Sequence, residues 1–278
     1  MLKQRVITGV IMVVVFLSAV VFLSVQGLAL LFALVVALGA WEWSRLASWQ
    51  ASPARVFYVA VVLGCMAALY LYCDLGGEPV HKQVQPFLGL ACLWWSIALL
   101  WVKSYPASSS IWGNRWMRSL MGLLILPPAW LSAIFLLSFP RGGAMLVAMI
   151  LIVVAADIGA YFSGKRFGKH KLAESVSPAK TWEGFWGGMC CALALALIAW
   201  SWLPSSFEHI GLGAVITIFL ATALFSVVGD LAVSMVKRET GIKDSGSLLP
   251  GHGGVLDRLD SICGAAPVFA LGLLLVGW

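Results

Sequence analysis

From Ala223 to Leu275 the chain reads ALFSVVGDLAVSMVKRETGIKDSGSLLPGHGGVLDRLDSICGAAPVFALGLLL. Two apolar runs flank a charged interlude, and Asp230 is embedded in the first of them. Four basic and four acidic side chains stand between Ser234 and Asp260. The chain as a whole is 61% hydrophobic and only 11% charged, with a mean hydropathy of +0.96. Soluble domains carry about 25% charged residues. The apolar runs reach the roughly 20 residues that cross a bilayer, and they lack the strict alternation of a membrane β-barrel. The fold class that follows is all-α, a polytopic transmembrane helical bundle.

Nine spans are expected: Val6–Val25, Leu28–Leu46, Val56–Cys73, Phe87–Val102, Ser119–Ser138, Gly143–Phe162, Trp182–Leu203, Ile210–Val236 and Ile262–Trp278. The Gln26-Gly27 turn is very short; a single bent hairpin is the alternative there, and two crossings fit better. Pro127-Pro128 should kink the fifth span, since neither residue has an N–H to donate. Lys3 and Arg5 precede the first run and no small-residue cleavage site follows, so that run reads as a retained helix. With the N-terminus in the cytoplasm, 16 of the 18 basic residues fall on the cytoplasmic side and only Lys82 and Arg141 on the other. That asymmetry is the positive-inside pattern. The net charge of +6 is thus a topology signal, and a nucleic-acid role is set aside. The six cysteines lie in or beside apolar spans with no CxxC pair, and they read as small hydrophobes. The many Trp residues read as interface anchors or packing. Residues 1–140 read as N-terminal transmembrane helices, and residues 141–278 as a catalytic membrane region. In the latter, two polar segments, Gly164–Thr181 and Lys237–Ser261, face the cytoplasm.

A membrane protein has little reason to keep so much charge between two spans unless a charged substrate meets the bilayer there. Lipid phosphate chemistry is the leading reading. Asp157 and Asp230 lie well within spans, where a carboxylate costs roughly 3 kcal/mol and marks a functional candidate by default. The plainer reading of Asp157 is a packing hydrogen bond to Tyr161, one turn on. Asp230, Ser234, Lys237 and Arg238 share one helical stripe at i, i+4, i+7 and i+8. Mg²⁺ at its acidic end and phosphates at its basic end would suit it. The loop then adds Lys243, Asp244, Gly251, His252, Gly253, Gly254, Asp257, Arg258 and Asp260. Mg²⁺ takes one or two carboxylates plus phosphate oxygens and water, and Asp230 and Asp257 are positioned in sequence to share it. His252 alone reads more simply as a loop hydrogen-bond donor than as a general base. Upstream, Lys165, Arg166, Lys169 and Lys171 attract anions or anchor the helix end. Ser177 and Thr181 offer hydroxyls, Lys180 a point charge, and Glu183 opens the next helix; an N-cap is the alternative for Thr181. No GxxxxGK[ST] loop, GxSxG elbow or HExxH site is present, and no nucleophile–base pair stands out.

Ser234, Lys237, Arg238, Lys243, Asp244, Gly246, Pro250, His252, Gly253, Gly254, Asp257, Arg258 and Asp260 together resemble the signature of the phosphatidate cytidylyltransferases (CDP-diacylglycerol synthases). The upstream DIGAYFSGKRFGKHKL and SPAKTWEG are similar to the bacterial members, and the likeness is sharp over Asp157–Asp260. It implies that CTP and phosphatidate yield CDP-diacylglycerol and pyrophosphate with Mg²⁺ as cofactor, in a bacterial inner membrane with the site facing the cytoplasm. It implies a metal site of paired aspartates, Asp230 and Asp257, and a substrate-binding segment at Ser177, Pro178, Lys180 and Thr181. The lipid bilayer is the expected partner. Oligomeric state stays open, a homodimer included. Three rival readings stand beside it, one of them a family-like protein that has lost activity or serves regulation, against which the intact acidic and basic set argues. A CTP-dependent lipid-alcohol kinase would release CDP rather than pyrophosphate. A transporter would use Asp157 and Asp230 as coupling-ion sites, but paired halves are not visible.

Overall fold

The computed structural model describes residues 2–77, 81–139, 141–202 and 210–277. Ten helices lie among them: α1 (Leu2–Phe22), α2 (Val25–Leu46), α3 (Ser52–Tyr72), α4 (His81–Lys103), the single turn α5 (Ser109–Trp112), α6 (Arg115–Leu137), α7 (Gly142–Phe167), α8 (Trp182–Ser201), α9 (Leu212–Glu239) and α10 (Leu256–Leu275). Eight are long and apolar enough to cross a membrane, and the apolar part of α1, Val6–Phe22, is shorter. The nine long helices coincide with the nine expected runs, so the protein is a polytopic all-α membrane protein. Val6, Val10, Val13 and Val14 on α1 are exposed, as side chains that face lipid rather than water would be. Leu203 and Trp278, which closed two expected spans, lie outside the described residues.

The differences are at helix ends. The first turn falls at Leu23–Ser24, because Ser24 caps α2 by accepting from Gly27 N at 3.1 Å. Gln26 and Gly27 therefore sit inside α2. α6 continues through Pro127 and Pro128. α9 extends to Glu239 and α10 starts at Leu256, so Lys237 and Arg238 are helical, as the stripe requires, and Asp257, Arg258 and Asp260 are helical rather than loop residues. Cations in a last turn and an acid in a first turn both complement the helix dipole. A two-stranded antiparallel hairpin, β1 (Lys171–Ala173) and β2 (Ser177–Thr181), occupies the upstream polar segment. Strands this short leave too few residues for alternation to show.

One close approach fixes how α9 and α10 cross. Gly229 on α9 lies against Gly264 and the Asp260 carbonyl of α10. A side chain at either glycine would strike backbone, so the helices cross where Asp230 begins. Small residues serve this purpose in membrane bundles generally. Trp95 of α4 donates to Cys263 O at 3.1 Å, and Trp43 of α2 to Arg118 O at 2.7 Å. These indoles are buried packing groups. Thr8 of α1 donates to Pro250 O at 3.1 Å, and Arg118 of α6 to Leu46 O at 2.9 Å. The N-terminal ends of α1, α6 and α10 thus share one face with the C-terminal ends of α2 and α9.

Candidate active site

Two adjoining cavities open on that face, each of about 390 Å³. They share Asp157 and Asp230. The hairpin-side cavity is walled by Tyr161, Leu172, Phe185 and Val227, with Lys165 and Lys180 as its cations. The loop-side cavity brings together Asp157, Asp230, Asp244, Asp257 and Asp260 with Lys237 and Arg258. Five carboxylates against two basic side chains leave an acidic excess.

Asp230 stands at the junction. Lys180 reaches from β2 to its Oδ2 at 2.7 Å, and Ser234 donates to its Oδ1 at 3.1 Å. One turn on, Lys237 Nζ bonds Asp257 Oδ1 at 2.8 Å, across from α9 to α10. Asp257 Oδ2 accepts from the backbone N–H groups of Ser245 and Gly254, both at 2.9 Å. The carboxylate therefore ties the loop to both helices. Asp260 is buried, 6% exposed, and accepts from Ser261 N at 2.8 Å.

The whole chain carries the family's pattern. Residues 3–276 match the model of the Cytidylyltransferase family. The chain belongs to that family. It is 46% identical to the phosphatidate cytidylyltransferase of Pseudomonas aeruginosa, over 100% of this chain and 99% of that one. It is 39% identical to the enzyme of that name in Haemophilus influenzae, over 97% and 98%. The Mycobacterium bovis enzyme of the same name is 41% identical over 52% of this chain and 46% of its own.

In this cytidylyltransferase the expected site residues divide into those that line the cavities and those that do not. Asp230, Lys237, Asp244, Asp257, Arg258 and Asp260 line the loop side, and Lys180 and Thr181 the hairpin side. Thr181 also caps α8, accepting from Gly184 N at 3.1 Å. Ser234 reaches the site through Asp230. Arg238 turns away and donates to Val176 O at 3.0 Å; eight residues carry it about 80° around the helix from Asp230. Glu183 accepts from the N–H groups of Lys169 and His170 at 3.1 and 3.2 Å and meets His170 Nδ1 at 2.6 Å. It fastens the hairpin rather than facing a cavity. Ser177 is half-buried at the start of β2, and Lys243 is exposed in the loop; neither lines a cavity. The carbonyl of His252 accepts from Arg258 at 3.1 Å. Gly253 adopts φ +81°, and a Cβ on Gly254 would strike Ser245 Oγ and Glu42. The Asp157–Tyr161 bond does not form; among the described residues the Asp157 side chain has no hydrogen bond and lines both cavities.

The sequence reading passed over Glu42. It is 3% exposed and accepts from Val255 N at 3.1 Å, Leu256 N at 2.8 Å and Ser245 Oγ at 2.9 Å. It thereby caps α10 from a different helix. Arg45, one turn along α2, donates to Asp244 O at 3.2 Å and Ser245 O at 2.8 Å. The signal was present: WEWSR puts an acid and a base one helical turn apart at the end of an apolar run.

Proposed function

We propose that this cytidylyltransferase moves a cytidylyl group from CTP to phosphatidate, giving CDP-diacylglycerol and pyrophosphate for phospholipid synthesis. The observation that carries the reading is the convergence of Asp230 and Asp257, from separate helices, on one acidic cavity beside a second, more apolar one. A phosphatidate oxygen attacks the α-phosphorus of CTP, a new P–O bond forms, and the bond to the pyrophosphate oxygen breaks. Phosphatidate brings its own nucleophile, so no serine or cysteine is required. The protein's task is to bring two polyanions together in line. The apolar wall of Tyr161, Leu172, Phe185 and Val227 suits the lipid, with Lys165 and Lys180 for its phosphate. The loop-side cavity suits the nucleotide, with Lys237 and Arg258 set to hold charge on the leaving pyrophosphate.

An acidic cavity receives a triphosphate only with cations. Among the described residues no group of three or more potential ligands forms a protein-only metal cage. That fits Mg²⁺, which takes one or two carboxylates and leaves the rest to water and phosphate. Asp230 and Asp257 would hold it, and it would neutralise phosphate charge. Lys180 and Lys237 pair with those carboxylates, and both would be available to substrate phosphate where Asp230 and Asp257 held the metal. The concentration of basic residues at this face supports a cytoplasmic site in a bacterial inner membrane.

Purified protein with CTP, phosphatidate and Mg²⁺ should release pyrophosphate, and chelation should stop it. Release of CDP instead would make it a kinase, and no turnover by a folded sample would sink the reading.

A further inference from the structure

A separate cavity of about 590 Å³ lies on the same face between the ends of α2, α3, α6 and α9. It shares no lining residue with the two catalytic cavities. Three arginines converge on it, Arg45, Arg55 and Arg118, with Glu239 as the one acid in its wall. Among the described residues none of these four side chains is in an ion pair. Three guanidinium groups against one carboxylate leave a net positive charge around the space, which a further anion would offset.

Each guanidinium is held in place with donors left over. Arg55 stacks on Trp41 at 3.8 Å and donates from Nε to Ser44 Oγ at 3.0 Å and from Nη2 to Trp41 O at 2.9 Å. Arg118 donates from Nη1 to Leu46 O. Its Nε is buried without a partner, in a side chain only 9% exposed. A buried N–H left unpaired costs about 1–3 kcal/mol, more when charged. Positive-inside anchoring does not require that burial. Arg45 spends Nη2 on the loop carbonyls. Planar forks preset in this way match phosphate oxygens.

We propose that this cavity is a second anion site, for a phosphate group carried by a lipid headgroup or free in solution. Arg45 links its occupant to the loop that Asp257 holds. The test uses the full chain in phosphatidylcholine nanodiscs, titrated with inorganic phosphate and pyrophosphate by calorimetry. A parallel arm adds phosphatidylglycerol and follows retained lipid by native mass spectrometry. Arg55→Gln, and Gln50→Glu at the exposed rim, should each weaken one binding isotherm about tenfold or more, while any loss in Lys180→Ala reports the catalytic cavities instead. Binding confined to the first arm assigns a soluble phosphate, and binding confined to the second a headgroup. The proposal is overturned if neither arm separates Arg55→Gln and Gln50→Glu from wild type, or if only Lys180→Ala lowers binding. No step of this test requires CTP turnover, so it stands or falls apart from the reaction above.

Discussion

The hairpin β1–β2 and the segment 240–255 border the two cavities that share Asp157 and Asp230, and they are held by different means. The hairpin has its own ladder, with Lys171 opposite Thr181 and Ala173 opposite Ser177. Its ties across to α9 are two, the ion pair of Lys180 with Asp230 and the hydrogen bond from Arg238 to Val176 O. The segment 240–255 has one isolated bridge, Leu249 to Gly253. Much of its remaining order comes from side chains elsewhere: Asp257, Glu42 and Arg45, with Arg258 on His252 O and Thr8 on Pro250 O. Backbone ladders survive side-chain changes. A loop hung on side chains does not, because Asp257 and Glu42 each satisfy two or more donors at once.

That contrast can be broken by experiment. Asp230→Asn should lower pyrophosphate release by roughly 10³-fold or more with helical content unchanged; a tenth of wild-type activity would place the reaction elsewhere. Asp257→Asn should cost about as much and also speed amide exchange at Ser245 and Gly254, which Asp230→Asn should leave alone. Glu42→Gln touches no cavity, yet kcat should fall by roughly 10–10² as the loop loses its position, with faster exchange at Val255 and Leu256. Unchanged exchange there would remove Glu42 from the account. Lys180→Ala should raise KM by about tenfold, the scale of one charge-assisted contact, and leave loop exchange as it was. Glu183→Gln, on the laddered side, should change turnover by about twofold or less. A larger loss would erase the distinction between the two segments.

The fold was legible because hydropathy reports bilayer crossings directly: every long helix sits on an expected run. Helix ends were less legible. Asp257 and Asp260 look like loop residues in a polar string, and only a cap from α2 lets α10 start before them. Asp157 and Asp230, which line both cavities, were readable because a carboxylate in an apolar span is costly. Glu42 was visible as an acid at the end of an apolar run, but its role was not, since its partners are backbone N–H groups of residues more than 200 positions away. No local pattern encodes that pairing. The stripe from Asp230 held for Ser234 and Lys237 and failed for Arg238, whose helical phase turns it toward Val176.

Asp157 lies eight residues before Lys165 on α7, and Asp230 seven before Lys237 on α9. At 1.5 Å per residue the two acids sit about 10–12 Å below the basic ring that marks the helix ends. Phosphate groups of ordinary lipids float at the level of that ring. Either the leaflet at that ring dips beside α7 and α9, or a lipid sinks headfirst toward the two acids. Membrane thickness thereby becomes a reactant property, and bilayers of shorter acyl chains should feed this enzyme faster than thick ones.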